Sequence, residues 1–208
     1  ACVRNTELSK IQEIADDLVA QHAQRSFATL ATSMAVNSVL VVGDPARWAN
    51  PLVRVHSSCL TGDVFRSQRC ECGPQLQSAL ELIDADDQGG LLIDMSGHEG
   101  RGIGLWAKAA TYLLQDSGED TYHANRSLGL PDDSRDFSDA AALLKFVRGD
   151  GPFRLLTNNP KKIDDLTAAG LTGITPVKHV FGVSDANKRY LKAKRDWGHQ
   201  LSEEDFGD

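Results

Sequence analysis

Cys59, Cys70 and Cys72 crowd one short stretch of the chain, and thiolates grouped in this way select zinc in a reducing setting. From spacing alone three arrangements stand open. One is a catalytic zinc with three protein ligands and a fourth position for water, whose pKa such an ion lowers to about 7. Another is a structural zinc closed by a fourth ligand, with His56 as the candidate. The last is three buried thiols without metal. Cys2 reads as a spare thiol. Arg54, Arg66 and Arg69 flank the cysteines, and guanidinium groups suit phosphates and the carbonyl oxygens of a base; as ordinary surface arginines they would carry no chemistry.

Further segments carry chemistry-bearing residues. In HEGRGIGL (98–105) the glycines allow close backbone approach to an anion, while Glu99 and Arg101 add both signs of charge. The glycine spacing is not that of a dinucleotide fingerprint, and a solvated loop is the alternative. In PDDSRDF (131–137) Asp133 and Arg135 flank Ser134. A carboxylate beside a guanidinium can move a proton and hold a phosphoryl group, or simply form an ion pair. In LLTNNPKK (155–162) Thr157, Lys161 and Lys162 surround a helix start capped by Asn159. That is a phosphate site, or a well-capped helix with solvated lysines.

These residues need elements to position them. Leu8, Ile11, Ala15 and Leu18 predict a helix over 7–23. SVLVVGD (38–44) predicts a strand and turn, and Leu52, Val53 and Val55 a strand leading into Arg54 and His56. Leu76, Ala79, Leu80 and Ile83 predict a helix after the cysteines. LLIDM (91–95) reads as a buried strand, and Leu105, Ala109, Tyr112 and Leu113 as the next helix. Ser138 is expected to cap a helix carrying Leu143 and Val147. FRLL (153–156) is a strand, and 160–169 a helix stopped by Gly170. ITPVKHV (174–180) is a last strand, followed by a helix near 185–196 and a frayed acidic tail. The expected class is mixed α/β (α+β), a single compact domain with an added N-terminal helix. Its parts would be an extension over 1–35, a catalytic domain over 36–201 and a tail over 202–208.

Composition narrows the classes. The chain has 208 residues, 41% hydrophobic and 25% charged, as a globular domain requires. No apolar run is long enough to span a bilayer, and no charged-then-apolar leader opens the sequence given. The net charge of −7 disfavours nucleic acid and acidic membranes as partners, while local basic clusters remain able to bind a small anion. A cytoplasmic location is expected.

Taken in order, RVHSSCLTGD, RCECG, EGRGIGL, TYHANRSLGL, DDSRDF and LLTNNPKK resemble the GTP cyclohydrolase II family of riboflavin biosynthesis, over roughly residues 36–201. The resemblance implies that Cys59, Cys70 and Cys72 hold zinc, whose water attacks C8 of guanine so that formate leaves. It places Arg135 at the position assigned as nucleophile toward the α-phosphorus, Asp133 at the proton acceptor, and Tyr112 near the reacting base. Arg54, Val55, His56, Ser57, Ser58, Gln75, Glu99, Gly100, Arg101, Thr121, Thr157 and Lys162 fall on GTP-contacting positions. Magnesium is expected with the triphosphate, and a homodimer as the assembly. The chain departs from the family pattern at Ser58, where a Glu is usual, and at Gly97-His98, where Arg-Gln is usual. These departures leave two alternatives open. One is a divergent paralogue that makes a partial, formylated product or uses a related purine nucleotide. The other is a non-catalytic, zinc-containing nucleotide-binding module.

Overall fold

The computed structural model describes residues 36–206, so the helix expected over 7–23, Cys2 and the last two residues lie outside the described part. Five strands form one sheet: β1 (Ser38–Val42), β2 (Leu52–Ser57), β3 (Gly90–Met95), β4 (Phe153–Leu156) and β5 (Ile174–Val177). Their spatial order is β1-β3-β2-β4-β5. Only the edge strand β1 runs antiparallel to its neighbour; β3, β2, β4 and β5 pair in parallel. Parallel neighbours need crossovers, and helices supply them. They are α1 (Cys72–Asp84), α2 (Gly104–Asp116), α3 (Thr121–Ser127), α4 (Ser138–Arg148), α5 (Pro160–Ala168) and α6 (Lys188–Asp196). Among the described residues no helix is long and apolar enough to cross a membrane.

The period-2 alternation of β2 decides what each face of the sheet becomes. Val53 and Val55 point into the main core with Leu91, Ile93 and Met95 of β3, and with Phe137, Leu143 and Leu144 from the α4 region. Each such fully buried side chain contributes roughly 1.5–3 kcal/mol. On the other face Leu52, Leu92 and Leu156 pack on Ala79 and Ile83 of α1. Arg54 and His56 continue that second face, buried yet charged or polar. Gly90 lets β2 and β3 approach, because a Cβ there would stand 1.8 Å from the Leu52 carbonyl oxygen.

Several expectations need correction. Ser138 does not cap α4; it is the first helical residue, and Phe137 holds the cap position without a side-chain bond. β5 ends at Val177, so Lys178 to Val180 leave the sheet. Residues beyond 201 do not fray as far as they are described. Glu203–Phe206 form a 3-10 turn with Phe206 buried, and Asp205 bonds the Ser202 amide and pairs with Lys178. The sequence pattern missed α3, which is short and polar and starts because Asp120 accepts from the amides of Tyr122 and His123.

Candidate active site

One cleft opens beyond the carboxyl ends of β2, β3 and β4, where ligands settle in parallel sheets. After β2 the chain enters a π-helical turn, Leu60–Val64, which brings Cys59 back against the start of α1. The Sγ atoms of Cys59, Cys70 and Cys72 then lie within 4.8 Å of one another. Gly62 makes this possible. A Cβ there would meet Cys70 Sγ at 2.8 Å and Cys59 Sγ at 3.1 Å. Three converging soft donors around a glycine-lined hollow fit a zinc ion.

His56 is not the fourth member of the cluster. Its Nε2 meets Asp63 Oδ2 at 2.9 Å, and the same carboxylate oxygen accepts from the Cys59 amide at 2.7 Å. Among the described residues the cluster consists of Cys59, Cys70 and Cys72. The structural zinc closed by His56 is therefore not what this fold builds. Hydrogen bonds from the other two thiols, and the nearby ammonium of Lys108, hold the Cys59 thiol far below its ordinary range. Its bond to Cys59 leads the causes that push Cys70 up to about 12.

The cleft's other walls are cationic. Arg54 donates Nη1 to the Leu156 carbonyl and Nη2 to Gln75 Oε1, each at 2.9 Å. Burial lowers its pKa to about 10, although Cys72 and Glu71 pull the other way. Lys162 Nζ donates to the Val55 carbonyl at 2.7 Å, and burial with Arg54 and Arg135 drives its pKa well down. Arg101 sits in the left-handed region at φ 64°, donates to Thr121 through Nη2 and lies 4.0 Å from the Tyr122 ring centroid. A non-glycine residue held there stores strain, as residues at functional sites often do.

Asp133 and Arg135 form a two-point pair, with Nε to Oδ1 at 2.9 Å and Nη2 to Oδ2 at 2.6 Å. Burial works against the Asp133 charge, yet the Arg135 partnership prevails and lowers the carboxyl. Burial likewise opposes the Arg135 charge, and Asp133 outweighs it.

Of the residues singled out in the sequence, the cleft gathers Arg54, His56, Ser57, Ser58, Gln75, Gly100, Arg101, Tyr112, Thr121, Arg135, Thr157 and Lys162 along with the cysteines. The Val55 side chain is not among them, because it points into the core; only its carbonyl faces this side, through Lys162. Asp133 and Glu99 stand behind the lining and act through Arg135, Lys108 and the Leu60 amide. Arg66 lies outside the lining, whereas Arg69 joins it. Ser58 donates to Asp94 Oδ1 at 2.6 Å, so β3 supplies a carboxylate one bond away from the position where the family pattern has Glu.

Sequence reasoning missed Lys108. Its Nζ reaches Cys59 Sγ at 3.0 Å, Thr61 Oγ1 at 2.9 Å and Glu99 Oε1 at 2.5 Å. The available signal was a polar stripe on α2, where Lys108, Thr111, Tyr112 and Gln115 share the face turned to the cleft. Glu71, paired with Lys194, and His199 were also missed; they line the cleft from the residue that precedes α1 and from the stretch after α6.

Comparison with known proteins matches the GTP cyclohydrolase II family over residues 20–177. The riboflavin biosynthesis protein RibBA of Nocardia farcinica is 52% identical over 163 residues, covering 78% of this chain and 39% of that protein. RibBA of Salinispora tropica is 49% identical over 163 residues, with 78% and 40% covered. The monofunctional riboflavin biosynthesis protein RIBA 3, chloroplastic, of Arabidopsis thaliana is 46% identical over 159 residues, with 76% and 31% covered. The match thus spans about two fifths or less of the length of these relatives.

Proposed function

The chain belongs to the GTP cyclohydrolase II family, and from that premise we propose that it opens the guanine imidazole ring of GTP. Formate and pyrophosphate would leave, and a diaminopyrimidinone ribosylamino phosphate would remain, as a step of riboflavin biosynthesis. One observation carries this reading. One cleft is lined both by Cys59, Cys70 and Cys72 and by Arg54, Arg101, Arg135, Lys162 and Lys194. A polyanion bearing a hydrolysable ring matches both sets of groups, whereas a bare phosphate site would have no use for the sulfurs.

Zinc held by these cysteines would supply a Lewis acid that activates water at neutral pH. The protein's own groups do the rest. Arg101, Lys162 and Lys194 would bind the triphosphate, with magnesium entering as its counter-ion. Arg135 would lie against the α-phosphate. Its pKa is raised, so the guanidinium stays charged, which favours stabilising the phosphoryl transition state over covalent attack. Asp133 stays ionised beside it and can accept a proton. Burial raises the pKa of Tyr112, keeping its hydroxyl protonated near Thr61 Oγ1 at 3.2 Å, where it can orient water at the base. The homodimer reading draws support from α2, whose outer face leaves Trp106 91% and Leu113 74% exposed.

The test is mass analysis of the product after incubation of zinc-loaded protein with GTP. A deformylated pyrimidine with pyrophosphate is expected. A formylated product would favour the divergent paralogue, and intact GTP would favour a binding module.

A further inference from the structure

His98 is buried beside the cleft and belongs to none of the roles above. Its ring stands edge-on to Phe137, with centroids 4.9 Å apart, so it cannot turn freely. Nε2 lies 3.0 Å from the Asp136 carbonyl oxygen, and Nδ1 lies 3.2 Å from Ser57 Oγ. The donor and acceptor roles follow in sequence. A backbone carbonyl only accepts, so Nε2 carries the hydrogen. In the neutral ring Nδ1 is then an acceptor, and the Ser57 hydroxyl must donate to it. That commits the Ser57 hydrogen and leaves its oxygen lone pairs for Arg135 Nη1, 3.4 Å away. Nη1 is the guanidinium nitrogen that Asp133 leaves over.

On the proposed function, we infer that His98 is a positioning residue: as a neutral Nε2–H tautomer it turns the Ser57 hydroxyl so that its oxygen holds the free end of Arg135 in line with the phosphate site. Two side chains then fix the guanidinium from opposite ends, Asp133 by charge and Ser57 by a directed lone pair. The surroundings keep the ring neutral. Burial first, then the Arg135 charge, push His98 down to about 4; the Asp136 carbonyl opposes them, Lys162 adds a smaller push down and Asp133 a smaller pull up. An imidazolium would donate from both nitrogens and reverse the Ser57 hydrogen bond.

Glutamine offers the same pair, one acceptor oxygen and one donor nitrogen, and leucine offers neither. The experiment joins nitrogen-15 NMR of the wild-type imidazole at neutral pH with steady-state kinetics of His98→Leu and His98→Gln. The spectrum is expected to show a protonated Nε2 and a bare Nδ1. H98L is expected to lower kcat about tenfold with KM and zinc content unchanged, as for a misaligned catalytic group, and H98Q to recover most of that loss. In a Ser57→Ala background H98L should add little further loss, because the connection is already cut. An Nδ1–H tautomer would overturn the inference, as would equal kinetics for H98L and H98Q. Wild-type protein that holds zinc yet leaves GTP intact would instead defeat the proposed function, and the tautomer would still report on His98 by itself. If H98L does not fold, the spectrum and H98Q alone decide, since H98Q at the level of a dead enzyme contradicts the relay.

Discussion

Lys108 is where the site's charges meet. Its ammonium touches the sulfur cluster through Cys59 and the EGR loop through Glu99, and both ion-pair partners are nearly buried, at 11% and 13% side-chain exposure. Burial alone would lower its pKa, but the Glu99 hydrogen bond and Cys59 outweigh that and raise it. Removing the ammonium would leave a carboxylate and a thiolate facing each other without a cation. Lys108→Met is therefore expected to cost about 3 kcal/mol in unfolding free energy, and Glu99→Gln added to it to restore part of the loss. Urea unfolding measures both; a Lys108→Met protein as stable as wild type would show that the pair is solvated. No reading of one residue at a time reveals this role, because a helical lysine is ordinarily a solvent-facing one. The cysteines were legible because their chemistry is rare, and the Asp133–Arg135 pair because its members are two residues apart. His56 misled because spacing cannot show that Asp63 already claims its Nε2.

At the scale of elements, the π-helical turn Leu60–Val64 decides whether the sulfurs converge. Its Gly62 is boxed in by Cys70 Sγ, Cys72 Cβ and Cys59 Sγ, all within 3.1 Å of where a Cβ would stand. Gly62→Ala must spread the sulfurs, and zinc affinity is expected to fall at least about tenfold, measured by competition with a chromophoric chelator. Unchanged affinity would mean that the turn yields without moving the ligands. Helices with a clear apolar period, α1 above all, were legible because Leu76, Ala79, Leu80 and Ile83 repeat at helical spacing and cover the sheet. The turn itself was not legible. It carries no period, and its geometry follows from Asp63 meeting His56 and the Cys59 amide, and from Gly62 meeting Cys70 and Cys72. For the same reason α3 escaped notice: its capping aspartate is visible in the sequence, but its length gives no repeat to read.

Over the whole molecule, a net charge of −7 coexists with a cleft rich in arginine and lysine. Repulsion among those cations and burial together shape the acid response. Burial first, then neighbouring cations, lower His98 to about 4, His179 to about 3 and His199 to about 2. Unfolded histidines bind protons near 6.5, so between there and these folded values the unfolded chain holds more protons than the native one. Stability from these groups is complete above about pH 6.5 and is lost as pH falls toward about 4 and below. Thermal midpoints are expected to drop steadily from pH 7 to pH 4, with a smaller drop for His98→Gln; a flat profile would mean that the rings protonate freely in the native state. Fold class, the strands along the sequence and the grouping of the sulfurs could be anticipated from the chain, whereas the order of the strands in the sheet could not. The direction of α2 could not: its polar side faces inward and its apolar side outward, the reverse of a solvent-facing helix.

If three sulfurs and a cationic cleft cooperate on one purine nucleotide, C8 of its guanine must leave as formate. Zinc-loaded protein supplied with GTP carrying carbon-13 at C8 tests it directly by NMR. The label is expected to appear in formate with one zinc bound per chain, and Cys70→Ser is expected to lose both. Label that stays in the guanine ring while zinc is fully bound would contradict it.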